Sequence, residues 1–264
     1  RALVRIDSTN IVINNFIINH DDQFFKINGR VSENSSDSLF IDFGNLNLSN
    51  INIISKDIGL EFGGIINGNG NLSNIYRNPL FGSDIVIENL LLNNEPIGNS
   101  YIRTKWNGDN KSIALSFFSN LNNIRTLSAD GQYIPETNQF DFNISLNKFN
   151  ASILNSFLKS FASDIKGKAS GNVALKGTFK NPEFNGLLTM ENGALTIDYL
   201  KTRYNFSSDV LIKNNSIIFS DVPVTDSQKN RARTTGNVTF GAKKSITYDF
   251  NINARNFMAL NTTG

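Results

Sequence analysis

The segment Gly68-Asn69-Gly70-Asn71-Leu72 returns 103 residues later as Gly171-Asn172-Val173-Ala174-Leu175. At the same offset Tyr76-Arg77-Asn78-Pro79-Leu80-Phe81 matches Phe179-Lys180-Asn181-Pro182-Glu183-Phe184, and Glu88-Asn89 matches Glu191-Asn192. Upstream, Asn47, Ser49, Asn52, Lys56 and Gly64 match Asn150, Ser152, Asn155, Lys159 and Gly167. A second register relates Phe140-Asp141-Phe142-Asn143-Ile144 to Tyr248-Asp249-Phe250-Asn251-Ile252. Gly29, Gly131 and Gly236 head further equivalent segments. A chain that repeats itself every hundred residues or so folds as stacked copies of one supersecondary unit. The register divides it into the end of a preceding repeat (1–45), two full repeats (46–148 and 149–256) and the start of another (257–264).

Within each repeat the apolar residues alternate. Phe140, Phe142, Ile144 and Leu146 are separated by Asp141, Asn143 and Ser145, and Tyr248, Phe250 and Ile252 by Asp249 and Asn251. Period two sends alternate side chains to opposite faces, so these are strands with one apolar and one wet face. Val173, Leu175 and Phe179, then Leu195, Ile197 and Tyr199, then Tyr204 and Phe206 continue the pattern. Asn34-Ser35-Ser36, Gly108-Asp109-Asn110, Asn192-Gly193 and Asn214-Asn215 read as turns, and such signals divide the chain into about 22 strands. Asn78-Pro79 and Asn181-Pro182 belong at turns too, because proline withholds a ladder donor and holds its predecessor extended.

One helix per repeat interrupts the strands. Ile153, Leu154, Phe157, Leu158 and Phe161 form a helical stripe, with Asn150 or Ser152 to cap its start and Gly167 past its end. Its counterpart with Ile51, Ile54 and Ile58 is a weaker helix, being β-branched. The stripe is read as packing against the sheet; Lys159 is its only cation, too few for a membrane-surface helix.

Composition excludes more than it assigns. Twenty-one Phe and 39% hydrophobic residues supply a core. A net charge of +2, with no basic block, gives no support to nucleic acid as a partner. Without cysteine there is no disulfide, thiolate catalysis or zinc–thiolate site. His20 is the only histidine, set among Asn19, Asp21 and Asp22, and reads as a solvated loop residue. Neither a phosphate-binding loop nor a Gly-x-Ser-x-Gly elbow occurs. Trp106, the single tryptophan, is assigned to core or rim. No enzyme, cofactor or metal site is expected. About one residue in six is asparagine, which AT-rich coding DNA explains more simply than an asparagine ladder. No apolar stretch reaches the roughly 18 residues of a membrane span. The chain begins at Arg1 rather than Met, so it is read as a segment of a longer protein.

The run from Gly171 through Gly177, Asn181-Pro182 and Gly186 to Gly193 resembles the repeat of the TamB (translocation and assembly module) family. That family belongs to the AsmA-like repeating β-groove proteins, and the style of this sequence is similar to its Bacteroidota members. Leu154, Phe157 and Leu158 before the run, and Tyr199 and Asp221 after it, fit the family's spacing. The earlier repeat departs from it, with Asn74 and Ser83 in place of Gly177 and Gly186. The resemblance is clearest over 130–260, and the repeat extends it back to 46.

The resemblance implies an all-β, elongated β-taco with an apolar interior and one short helix per repeat. It also implies a periplasmic location, an inner-membrane anchor outside this chain, and an outer-membrane Omp85-type (TamA-like) barrel as partner, beside the adjacent repeats. The ligand it implies is the acyl chains of phospholipids. They would lie along Phe140, Phe142, Ile144, Leu146, Val173, Leu175, Phe179, Leu195, Ile197, Tyr199, Tyr248, Phe250 and Ile252. Two other roles stay open at this point: a scaffold for inserting outer-membrane barrels, and a packed structural or adhesin solenoid. Alternation alone fits a filled interior as well as an open one.

Overall fold

The computed structural model describes residues 3–56, 59–74, 80–241 and 246–261. Its strands hydrogen-bond in sequence order in one sixteen-stranded antiparallel sheet that does not close. The first compact unit runs to Phe140 and the second begins at Asp141. Nine strands lie wholly in the first unit: β1 (Leu3–Ile6), β2 (Ile11–His20), β3 (Gln23–Val31), β4 (Ser38–Asn47), β5 (Phe62–Ser73), β6 (Leu80–Leu92), β7 (Glu95–Asn107), β8 (Ser112–Leu121) and β9 (Ile124–Ile134). The division falls within β10 (Gln139–Asn150). The second unit holds β11 (Ala162–Thr178), β12 (Pro182–Ile197), β13 (Thr202–Lys213), β14 (Ser216–Thr225), β15 (Arg231–Phe240) and β16 (Ile246–Ala254).

Among the described residues sixteen strands stand where about 22 were expected, because several positions that read as breaks lie inside long strands. Asn192-Gly193, expected as a turn, is a bulge in β12 between Met190 and Gly193. Gly167, expected after a helix, is a bulge in β11, and Gly64 is its equal in β5. Both glycines hold left-handed backbone, with φ of +123° and +121°. A Cβ on Gly64 would stand 2.7 Å from the Glu88 carbonyl oxygen, so the close approach of β5 to β6 depends on its absence.

Asparagine has a backbone task in this sheet. Asn15, Asn45 and Asn89 take positive φ in β2, β4 and β6, and Lys148, Asn192 and Asp221 do so in β10, β12 and β14. Each donates its N–H to a side-chain oxygen on the following strand: Asn28, Asn67, Asn99, Ser170, Ser207 and Thr235 respectively, at 2.8–3.2 Å. The side chain thus satisfies a donor that the bulge takes out of the ladder. Short polar side chains tolerate this conformation best, which accounts for asparagine at most of these positions.

The helices are shorter than the stripe predicts. A 3-10 turn (Ala151–Leu154) leads into α2 (Asn155–Leu158), and a turn follows before β11. In the first unit a 3-10 turn (Leu48–Ile51) leads into α1 (Asn52–Ser55) in the same way. Asn150 and Asn47 cap them, accepting the N–H of Ser152 and Ser49. The stop comes from Asn155. Its side chain accepts the Ile165 N–H at 2.8 Å and donates to the Ile165 carbonyl at 3.2 Å. Asn52 holds Phe62 in the same two-bond clamp. A chain pinned ten residues on has no room for a second helical turn. Ile58 and the Asn78-Pro79 pair lie outside the described residues.

Candidate apolar groove

In the second unit one face of the sheet is predominantly apolar. Residues directly opposed in antiparallel strands share a face. Val173, Gly186, Ile212, Ile217, Val238 and Tyr248 are opposed in turn and form one row across β11 to β16. The row offset by one residue, Asn172, Leu187, Leu211, Ile218, Asn237 and Asp249, belongs to the other face. Further inner-face pairs are Gly171 with Leu188, Ala169 with Met190, Leu195 with Tyr204, and Gly236 with both Phe219 and Phe250.

This face curls around a cavity of about 480 Å³. Its lining is aliphatic and aromatic apart from Lys166, Asp249, Thr234 and the hydroxyls of Tyr199, Tyr204 and Tyr248. On one side Ala151, Leu158, Ala162 and Ile165 form a buried cluster, joined by Leu154, Phe161, Phe240 and Ile246. The Phe161 ring meets Tyr248 at 4.7 Å. On the other side Val222, Val224 and Ala232 pack with Phe206, Phe219 and Phe257.

The segment after β16 is pinned there. Tyr204 stacks on Phe257, with ring centroids 5.6 Å apart, and its hydroxyl donates to the Ala259 carbonyl at 3.1 Å. Burial pushes the Tyr204 hydroxyl pKa up. Asp226, 1% exposed, accepts the N–H groups of Gln228, Asn230 and Met258 at 2.8–2.9 Å. Burial alone would raise its pKa. The donors from Met258, Asn230 and Gln228 outweigh it and hold the carboxyl below the usual carboxylate range.

The sequence-derived groove residues divide. Leu195, Ile197, Tyr199, Tyr248, Phe250 and Ile252 line the cavity together. Val173 and Leu175 lie on the same face further along β11, outside the cavity. Phe142, Ile144 and Leu146 are half-buried at alternate positions of β10, apart from it. Phe140 is buried in the first unit. Phe179 is 77% exposed, because it stands in the β11–β12 connection rather than in a strand. Asn181 is in that same connection, its backbone exchanging hydrogen bonds with Thr178, and Pro182 opens β12. Tyr199, 83% exposed, and Tyr248, 55% exposed, mark where the cavity meets solvent.

Residues not picked out from sequence complete the lining, among them Leu188, Val210, Ile212, Ile217 and Phe219. A signal for four of them was present: Val210 and Ile212 alternate up to the Asn214-Asn215 turn, and Ile217 and Phe219 alternate away from it.

The first unit carries Trp106 beside Phe81, with centroids 6.0 Å apart, and places His20 at the end of β2, next to Asp21. Among the described residues no three His, Cys, Asp or Glu side chains come together to hold a metal ion, and no helix is long and apolar enough to cross a membrane. No family model, curated protein or solved structure matches this chain.

Proposed function

We propose that this chain is a section of a TamB-type, AsmA-like repeating β-groove whose apolar interior conducts phospholipids between the inner and outer membranes. The observation that carries the reading is the apolar row across β11 to β16 bordering a cavity that reaches solvent at Tyr199 and Tyr248. An interior that must exclude water offers an acyl chain roughly 0.8 kcal/mol for each CH₂ it buries. Transfer along such a surface calls for no catalytic group and no cofactor. In this reading the sheet is an elongated trough in the periplasm, with a membrane anchor elsewhere in the full protein and an Omp85-type barrel at its outer end.

Ile252→Asp and Leu188→Arg test the proposal by placing a charge on the inner face. The expected result is loss of copurified lipid and of lipid transfer between vesicles, with the β-sheet circular dichroism retained. Undiminished transfer by folded variants overturns it.

A second reading rests on the sheet being open rather than closed. Unpaired strand edges accept further strands, so the chain could act as a scaffold for incoming barrel strands. Crosslinks from edge backbone positions to client proteins, with none to lipid, favour that reading. The packed-solenoid alternative draws support from the contacts of Phe219 with Phe206 and Phe250, and requires an interior that takes up no lipid.

A further inference from the structure

We propose that the polar face of the first unit binds a neutral, extended oligosaccharide of equatorially linked pyranose rings, laid across β3 to β7. The site uses the face opposite the apolar one and does not depend on the lipid reading above.

The register sorts the side chains of this unit by face. Phe43, Gly68, Ile85, Ile102 and Phe117 are opposed in turn across β4 to β8 and form a mainly apolar row. The row offset by one residue, Lys26, Asp42, Asn69, Asp84, Arg103 and Ser116, belongs to the other face and is polar at every position. Arg103 donates to Asp84. Among the described residues the side chains of Lys26, Asp42 and Asn69 have no such partner. An ammonium only donates, a carboxylate only accepts and an amide does both, so the three together suit a run of hydroxyls, each of which can do either. The charges along the row cancel, which favours a neutral ligand over an acidic or basic one. The sheet itself does not require polar groups here, since the corresponding row of the second unit reads Asn172, Leu187, Leu211 and Ile218.

Exposed aromatic rings border the polar row. Residues two apart on a strand share a face, so Phe40 stands on one side of Asp42 and Gly44 on the other. Phe24, opposite Gly44, lays its ring over that glycine, where a Cβ would run into the ring. Phe40 and Phe24 are 54% and 39% exposed although they belong to the wet face. Tyr101, two residues from Arg103, is exposed too and stacks on Phe118 with centroids 4.6 Å apart. Phe24, Lys26, Asp42, Asn69, Asp84 and Tyr101 border one open depression. The electron-rich face of an aromatic ring attracts the C–H groups on the flat side of a pyranose, while the sugar's edge hydroxyls reach the polar row. Successive strands repeat the polar groups every ~4.8 Å, close to the advance of one ring in an extended glycan. Equatorial linkages keep such a chain straight enough to follow the row, whereas axial linkages turn it away.

The test is calorimetric titration of the full chain with cellotetraose and chitotetraose, against axially linked maltotetraose and against glucose. Either straight tetrasaccharide should bind about tenfold more tightly than maltotetraose or glucose. Asp42→Ala and Phe40→Ala should each weaken that binding about five- to tenfold with the β-sheet circular dichroism retained. Leu187→Ala, in the corresponding row of the second unit, should leave it unchanged. Failure of both straight tetrasaccharides to bind overturns the proposal. Binding that survives Asp42→Ala and Phe40→Ala overturns the site, and equal affinity for maltotetraose overturns the extended ligand. None of these outcomes bears on lipid transfer by the second unit.

Discussion

The rings of Phe161 and Tyr248 lie 4.7 Å apart, tilted by 43°, although Phe161 precedes β11 and Tyr248 belongs to β16. Five hydrogen-bonded strands, β11 to β15, separate the two, so the sheet of the second unit must curl to bring them together. The bulges at Asn192 and Asp221 each bend a strand and increase its twist. An aromatic pair of this kind contributes ~0.5–1.5 kcal/mol beyond the area it buries. A double-mutant cycle of Phe161→Ala and Tyr248→Ala in urea unfolding should return a coupling in that range. Strict additivity would show that the ring contact adds nothing to the curl.

Asn155→Ala should destabilise the chain by about 1–3 kcal/mol, because it strands both the N–H and the carbonyl of buried Ile165. Asn52→Ala should cost a similar amount at Phe62. Chemical denaturation measures both; a neutral Asn155→Ala would mean that the clamp follows the chain reversal rather than making it.

Adjacent glycines should respond in opposite ways. Gly64→Ala forces an L residue into φ of +121° with its Cβ 2.7 Å from the Glu88 oxygen, at a cost of about 1–3 kcal/mol. Gly63→Ala meets only the Leu91 side chain, at 3.3 Å, and should stay within about 0.5 kcal/mol of the parent. Equal losses in thermal unfolding would refute the bulge as the reason for Gly64.

Acid should loosen the segment after β16 through Asp226. The folded pKa of this carboxyl lies below its unfolded value. Its contribution is therefore complete above about pH 4, the unfolded carboxylate range, and fades as pH falls through the lower folded value. Amide exchange at Met258, whose N–H bonds to Asp226, should accelerate over that acidic window and stay slow at neutral pH. Asp226→Asn should remove the pH dependence; a Met258 profile unchanged by that substitution contradicts the linkage.

The elongated trough of the proposed function has a measurable size. Sixteen strands at ~4.8 Å spacing span about 75 Å, for a radius of gyration near ~25 Å, against ~18 Å for a compact globule of this length. Small-angle scattering separates the two, and the lower value would count against the trough.

Alternation and repetition are properties of the chain itself, so both were legible in the sequence. Phe250 and Ile252 already read as one face of a strand, and the pairing of Asn47 with Asn150 and of Asn52 with Asn155 already marked equivalent positions. The structure adds that these pairs carry the same caps and the same clamps. Strand length was not legible. Asn192-Gly193 has the composition of a turn, and only the partner side chain of Ser207, fifteen residues away, makes it a bulge that lets β12 continue. Helix length was hidden for a similar reason, since Asn155 stops α2 through a backbone ten residues ahead. Nor did local pattern reveal that Phe179 stands in solvent. Periodicity assigns each side chain to a face. Which faces meet, and where they leave a space between them, depends on bends and contacts between residues far apart in the chain, and only the folded sheet decides those.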